Sequence, residues 1–318
     1  MIYQSTEPSD LLLRFQDWIQ IEVAQGDASR HTQESYISST RGFFAWCRDR
    51  DIYPDKATED DIKLFRAHLI RNGYKRGTIK TKLAAVRRFY DALQDWGVRL
   101  DNPAEHVKPK RDLTSQAEKI AEKYIPDRDA FLNLWKQPKG TSLKGYRDRA
   151  ILRVLSYTGI RVGELCALDL TDIKNSVNPQ LLVRGGKGGK RRHVPLGDIE
   201  LRILQDWIDV RERLVDESNQ ALFITLDNRT KGKRLGTRGV RSQVDRYLRT
   251  AGLKQPGRSC HSLRHSMAVW LLDAGVPTEA IADLLGHSSI AVTAVYAKIA
   301  DLNRFTPSEV FLSTQMDR

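Results

Sequence analysis

Two arginines, a lysine, several histidines and a tyrosine stand in an order that suggests chemistry on an anion. They fall in four clusters: Thr158-Gly-Ile-Arg-Val-Gly-Glu164, Gly186-Lys-Gly-Gly-Lys-Arg-Arg-His-Val-Pro-Leu196, His261-Ser-Leu-Arg-His265, and Gly286-His287 followed by Tyr296. The fixed donor forks of Arg161 and Arg264 could clamp the non-bridging oxygens of one phosphate without ever losing their charge. Histidines beside them could donate hydrogen bonds or protons. A tyrosine is a weak nucleophile at its free pKa of about 10, and two nearby cations would favour its phenolate as it attacks phosphorus. Lys187, at the tip of a basic turn, would suit a general acid that protonates a leaving hydroxyl, with Lys190 its competitor for that role.

Each cluster alone also has a structural explanation. Arg161 could simply pair with Glu164, the histidines could be ordinary hydrogen-bonding groups, the basic turn a solvated hairpin tip, and Tyr296 a core residue. Their occurrence together, in order, over about 140 residues is what points to a shared site. Rival motifs fail on the letters. A Walker loop ending at Lys190 needs Gly at 184 and Ser or Thr at 191, where the chain has Arg184 and Arg191. His261 and His265 have the i, i+4 spacing of zincin ligands, but Ser262 replaces the required Glu. No Gly-x-Ser-x-Gly elbow is present. Neither a metal nor another cofactor is expected.

The elements that must carry these residues are mostly helices. Apolar residues recur at helical spacing over Ser9–Val23, Thr32–Arg50, Glu59–Arg71 and Gly77–Trp96, with Thr58 and Asp61 forming a start signal for the third. The fourth crowds Arg76, Lys80, Lys82, Arg87 and Arg88 opposite its apolar face, which makes it a candidate for contact with a polyanion. Residues 101–125 lose the periodicity at their start, mix Pro, Lys and polar residues, and read as the interdomain connector. Beyond it come helices from Asp127 to Trp135 and over Tyr146–Thr158. A β-hairpin follows within residues 181–196, whose basic turn offers Lys190, Arg191 and Arg192 as further contacts for a polyanion. Helices then resume over Ile199–Val215, Gly239–Ala251, Ser262–Ala274, Thr278–Leu285 and Ala291–Tyr296.

Composition agrees with a polyanionic partner. The chain has 318 residues, 52 of them Lys or Arg against 40 Asp or Glu, a net charge of +12. Residues 1–112 hold 19 basic and 17 acidic side chains, so most of the excess lies beyond them. With 40% hydrophobic and 29% charged residues the chain reads as globular. No run approaches the roughly 18 apolar residues of a membrane span, and no basic flank precedes an apolar run at the start, so neither a membrane nor secretion is expected. Three widely spaced cysteines, Cys47, Cys166 and Cys260, suggest no disulfide framework and place the protein in a reducing cytoplasm.

Taken together, T-G-I-R-V-G-E-L, G-K-G-x-K-x-R-x-V-P-L, H-x-L-R-H, L-G-H-S-S and the final Tyr resemble the tyrosine recombinase (phage integrase) family, specifically its Xer-like two-domain site-specific recombinases. The resemblance covers the second half in order, about residues 145–300; the first hundred residues are similar to the family's core-binding domain in pattern and size. It implies a mainly α fold. A four-helix, SAM-like core-binding domain would span residues 1–105, a linker 106–125, and a mostly helical α+β catalytic domain with a small antiparallel sheet 126–318. It further implies that Arg161 and Arg264 stabilise a phosphorane-like transition state, that Tyr296 forms a 3′-phosphotyrosyl link, and that Lys187 protonates the 5′-hydroxyl. His261 and His287 would assist proton transfer and hold the phosphate, and Glu164 would orient its neighbours. A phosphotyrosyl link preserves the phosphodiester energy, so the reaction needs neither ATP nor metal. The expected partner is double-stranded DNA with paired half-sites, bound by a homo-oligomer, a tetramer in the synapse. The alternatives are a type IB topoisomerase, which would act as a monomer on one duplex, and a DNA-binding regulator without activity.

The last residues, 297–318, read as a tail. Ile299–Phe305 is expected as a link, and Thr306-Pro307-Ser308-Glu309 as a helix start, with Thr as N-cap, Pro at the first position and Glu closing a capping box. The apolar Val310, Phe311 and Leu312 would pack on the parent domain or, as the resemblance favours, dock into a neighbouring protomer.

Overall fold

The computed structural model describes residues 8–26, 28–109, 116–140, 142–185, 191–287 and 289–304. The chain divides into two compact units, Met1–Leu113 and Thr114–Arg318.

The first unit is built from α1 (Pro8–Glu22), α2 (Arg30–Arg48), α3 (Glu59–Arg71) and α4 (Arg76–Asp95). Their apolar faces meet in an aromatic core of Phe15, Phe43, Phe44, Trp46, Phe65, Phe89 and Tyr90. Phe43 meets Phe65 edge-on with ring centroids 5.1 Å apart, and Phe44 meets Phe89 at 5.0 Å. Such pairs contribute about 0.5–1.5 kcal/mol each beyond the area they bury. The start of α3 is the expected capping box: Thr58 Oγ1 accepts from the Asp61 amide while the Asp61 carboxylate accepts from the Thr58 amide.

The second unit contains α5 (Gln116–Ala121), α6 (Arg128–Lys136), α7 (Leu143–Thr158), α8 (Val162–Ala167), a 3-10 turn at Leu170–Asp172, β1 (Ile173–Lys174), β2 (Gln180–Val183), β3 (Arg192–Pro195), α9 (Asp198–Glu212), α10 (Thr237–Thr250), α11 (Cys260–Asp273), α12 (Thr278–Leu285) and α13 (Ile290–Arg304). The strands form one antiparallel sheet in the order β1-β2-β3, with Leu181 opposite Val194 and Val183 opposite Arg192. Leu181, Val183 and Val194 point into the core, so the alternation of the hairpin sets its register. The central helices are α7 and α11. α11 buries Leu263, Met267, Ala268 and Val269 together with Ser262, Arg264 and Ser266, which leaves it almost no wet face. The fold is thus mainly helical with one small sheet.

Three stretches differ from the sequence reading. The connector is not uniformly irregular: Ala104 and Val107 are buried in the first unit's core, while α5, with Ile120, and then Tyr124 and Ile125 are buried in the second. Its Lys and Glu residues disguise a short apolar face. The six-residue α8, which opens directly after Arg161, is too short for periodicity to reveal. The expected link after Tyr296 is helical instead: α13 runs on to Arg304, with Ile299 and Ala300 packed beside Tyr296 in the core. The expected helix from Thr306 lies outside the described residues. Among the described residues no helix is long and apolar enough to cross a membrane.

Candidate active site

Arg161, Arg264, His287 and Tyr296 line one cavity of about 420 Å³ in the second unit, joined there by His265 and by the apolar Ile120, Ala291, Val292 and Val295. The cavity forms where the ends of α7 and α12 meet α11 and α13.

Gly159 closes α7 in the left-handed conformation, φ 62°. The positive φ strains any side chain there, and a Cβ would stand 2.1 Å from Met267 Cε, so glycine suits the turn that delivers Arg161 to the start of α8. Arg264 reaches from α11 to the carbonyls exposed by two helix ends, donating from Nη1 to Gly159 O at 2.7 Å and from Nη2 to Leu285 O at 2.9 Å. A cation is well placed there, since the last carbonyls of a helix carry partial negative charge. Burial, then the charge of Arg161, pulls its pKa down to about 10, which leaves it a cation at neutral pH.

Arg161 donates from Nη1 to Glu164 Oε1 at 3.0 Å and from Nη2 to Gly286 O at 3.3 Å, with 44% of its side chain exposed. Glu164 also accepts from the Arg161 amide at 2.7 Å and from both terminal nitrogens of Arg192, at 3.1 and 2.9 Å. Arg192 in turn donates from Nε to Leu284 O at 2.9 Å. One carboxylate therefore orients two guanidiniums and ties β3 to the end of α12. Burial alone would raise the Glu164 pKa, but the Arg192 bonds, the Arg161 amide and both positive charges outweigh it and hold the carboxyl below its ordinary range. Its stabilising effect is present above the ordinary carboxylate pKa and fades as pH falls through the lower folded value. Glu164→Gln removes the counter-charge of a pair whose side chains are only 6% and 14% exposed. The expected cost is about 3 kcal/mol, the lower end for breaking a buried pair, or roughly 6–12 °C in Tm for a unit of this size. Thermal melting checks it, and the variant's melt should also lose the acid-side fall that Glu164 contributes.

Tyr296 is 3% exposed on α13. Its Oη lies 2.9 Å from Nδ1 of His265, and its ring stacks on that of His287 with centroids 6.2 Å apart and 9° between planes. Burial raises its pKa, opposed by Arg264 and Arg161. His287 shares a hydrogen bond of 2.7 Å between Nδ1 and Thr293 Oγ1. Burial, followed by Arg264, Arg161 and Arg192, lowers its pKa to about 4, so the ring is neutral at neutral pH without a ligand.

His261 is exposed at the start of α11 and is not among the residues lining the cavity; its ring lies 6.4 Å from that of His265. His265, one helical turn further on, touches the tyrosine. The signal was its i+4 spacing from His261, which puts both on one face of α11. Thr293, which orients His287, carried no signal in the sequence. Lys187 and Lys190 lie outside the described residues.

The basic residues expected on DNA divide. Arg76, Lys80, Arg88 and Arg191 are exposed, with Arg88 paired to Asp91 at 2.9 Å. Lys82 is half-buried, its Nζ 5.3 Å from the centre of the Tyr74 ring. Arg87 instead turns inward, donating to the carbonyls of Ala104 and Val107, and Arg192 is held by Glu164 and Leu284. Both guanidiniums thus satisfy acceptors of their own unit.

Comparison with known proteins places this arrangement. Residues 128–302 match the Phage integrase family, and residues 14–97 match the Phage integrase, N-terminal SAM-like domain. The chain is 32% identical over 262 residues to Tyrosine recombinase XerC of Corynebacterium glutamicum, covering 79% of this chain and 80% of that one. Its fold is similar to XerH site-specific recombinase bound to difH substrate in a pre-cleavage complex, with TM-score 0.68, 18% identity and coverage of 92% and 94% of the two chains. A lambda integrase tetramer bound to a Holliday junction aligns with TM-score 0.68 and 17% identity over 92% of this chain and 78% of that one. Fold and sequence together define a site-specific DNA recombinase. More narrowly, the chain belongs to the phage integrase family, in its N-terminal SAM-like part as well as its catalytic part.

Proposed function

We propose that this recombinase cuts and rejoins DNA through Tyr296, with the scissile phosphate held between Arg161 and Arg264. The observation that carries the reading is the convergence of Arg161, Arg264, His287 and Tyr296 on one cavity. Oη attacks phosphorus and forms a 3′-phosphotyrosyl link as the bond to the 5′-oxygen breaks. The two guanidiniums meet the charge that develops on the non-bridging oxygens, where fixed donors are most effective. Neutral His287 donates a hydrogen bond to the same group, Lys187 protonates the leaving 5′-oxygen, and His261 approaches from the rim with bound DNA. Glu164 keeps both Arg161 and Arg192 in place. The test is a nicked suicide substrate incubated with the wild-type protein, then protease digestion and identification of the DNA-linked peptide. Linkage at Tyr296 is expected; linkage elsewhere overturns the reading.

The partner is duplex DNA carrying paired half-sites, gripped through Arg76, Lys80, Lys82, Arg88, Lys190 and Arg191, and the working assembly is a tetramer of this chain acting in integration, excision or resolution. The similarity to a lambda integrase tetramer bound to a Holliday junction supports that stoichiometry. A groove of about 460 Å³ lined by Phe131, Trp135, Trp270, Leu271 and Leu284 supports a role for the tail: Val310, Phe311 and Leu312 of a neighbouring copy would fill it. Truncation before Thr306 is then expected to leave binding to one half-site within about twofold while abolishing cooperative binding to two half-sites, read by gel-shift titration. The cytoplasm suits a protein whose three cysteines are buried and unpaired.

A further inference from the structure

A residue within hydrogen-bond distance of the reacting oxygen is one to which the family resemblance gives no role. His265 Nδ1 lies 2.9 Å from Tyr296 Oη, inside the cavity that also holds Arg161 and Arg264. Attack by Oη on phosphorus releases the phenolic proton, and the step needs a group to receive it. Arginine has no lone pair for the purpose. His287 has its Nδ1 engaged with Thr293 and presents its face, not its edge, to the tyrosine ring. His261 is exposed and does not line the cavity, and the approach proposed for it with DNA brings it to the phosphate from the rim, not to the buried hydroxyl.

Resting on the assignment of Tyr296 as nucleophile, we propose that His265 is a catalytic residue that accepts the phenolic proton as the phosphotyrosyl bond forms. The ring acts as the tautomer protonated on Nε2, so that the Nδ1 lone pair faces the hydroxyl. The new bond joins Oη to phosphorus, and the bond from phosphorus to the 5′-oxygen breaks. The proton passes from Oη to Nδ1, and the departing oxygen takes its proton from Lys187. Rejoining runs the same transfers in reverse, the imidazolium of His265 returning its proton to Tyr296 as the 5′-hydroxyl gives its own to Lys187 and attacks.

The surroundings of His265 make this transfer depend on DNA. The groups that face it are His261 and Arg264 from α11, Lys123 from the segment after α5, His287 from the segment after α12, and Tyr296 from α13. Burial first, then His261, Arg264, Lys123 and His287, lowers its pKa to about 4. Without DNA the ring is therefore neutral and merely holds the hydroxyl. A phosphodiester entering between Arg161 and Arg264 brings negative charge to the cations that disfavour imidazolium, and so raises the basicity of His265 when substrate is in place.

The test uses full-length protein and a nicked suicide substrate under single-turnover conditions. His265→Ala is expected to form the covalent adduct at least 100-fold more slowly than wild type, the usual range for loss of a positioned acid or base, with DNA affinity unchanged. Imidazole and its substituted analogues should restore the rate tenfold or more, in proportion to their basicity, while leaving wild type unaffected. His265→Asn serves where the alanine variant is unstable, because its amide oxygen can hold the tyrosine hydroxyl but cannot take the proton; it should be folded and equally slow. Cleavage by either folded variant within threefold of wild type overturns the proposal. So does a slow His265→Ala protein that no amine accelerates, or one whose acceleration follows amine size and not basicity. Peptide mapping of the wild-type adduct is run in parallel: linkage at a residue other than Tyr296 sinks the assignment of the nucleophile, whereas linkage at Tyr296 with a fast His265→Ala sinks the role of His265 alone.

Discussion

Tyr296→Phe binds DNA as wild type does and forms no covalent protein–DNA adduct. The substitution deletes one oxygen and keeps the ring, which is 3% exposed and stacked on His287, so the packing of α13 survives. The hydrogen bond to His265 Nδ1 is lost. That costs about 1–3 kcal/mol if the nitrogen is left without a partner, too little to unfold a unit with this much buried apolar surface. A denaturing gel of a nicked suicide substrate reads the adduct, and a gel shift on the same DNA reads binding. An undiminished adduct would mean that another residue is the nucleophile.

Arg264→Ala loses cleavage and stability together, and the comparison with Arg161→Ala separates the two effects. Removing one fixed donor at a developing oxyanion costs on the order of 3 kcal/mol, a factor of about 100–1,000 in rate. Arg264 also spans the Gly159 and Leu285 carbonyls from a buried position, and truncation orphans both. At about 1–3 kcal/mol for each unsatisfied group, and 2–4 °C of Tm per kcal/mol, a drop of several degrees is expected in a thermal melt. Arg161, with 44% of its side chain exposed, should lose a similar factor in single-turnover cleavage while its melt moves far less. Equal losses of Tm in the two variants would contradict the geometry of the site.

The helical framework was legible because its signals are local. Apolar spacing marks α1 to α4, and Thr58 with Asp61 announces α3 at the residue where it starts. Gly159, directly after the helix read over Tyr146–Thr158, adopts the left-handed conformation that motivates glycine at a helix end. Arg161, Arg264, His287 and Tyr296 could be picked out by type and order, and they meet at one cavity. What stayed hidden depends on which neighbour a side chain finds in three dimensions. Arg192 reads as one more basic residue on a hairpin, yet β3 aims it at Glu164, 28 positions earlier. Arg87 lies on the polar side of a strongly basic helix, but the returning chain at Ala104 and Val107 offers it carbonyls. The helical continuation beyond Tyr296 was missed because a pattern broken by Lys298 and Asp301 looks like the end of an amphipathic run, while Ile299 and Ala300 still meet the core.

That continuation makes α13 a lever. Tyr296 and the last described residue of the helix, Arg304, belong to one rod with its near end at Ile290. At 1.5 Å of rise per residue, Tyr296 stands about 9 Å and Arg304 about 21 Å from that end. Were the rod to pivot at Ile290, against the packing of Ile299 and Ala300 in the core, a sideways displacement of about 2 Å at Arg304 would swing the tyrosine by about 0.9 Å, and a misplacement of that order can change the rate of a reaction in an enzyme site about 100-fold. Such a lever would trade movement for force: the hydroxyl of Tyr296 would move less than half as far as Arg304, against a force more than twice as large.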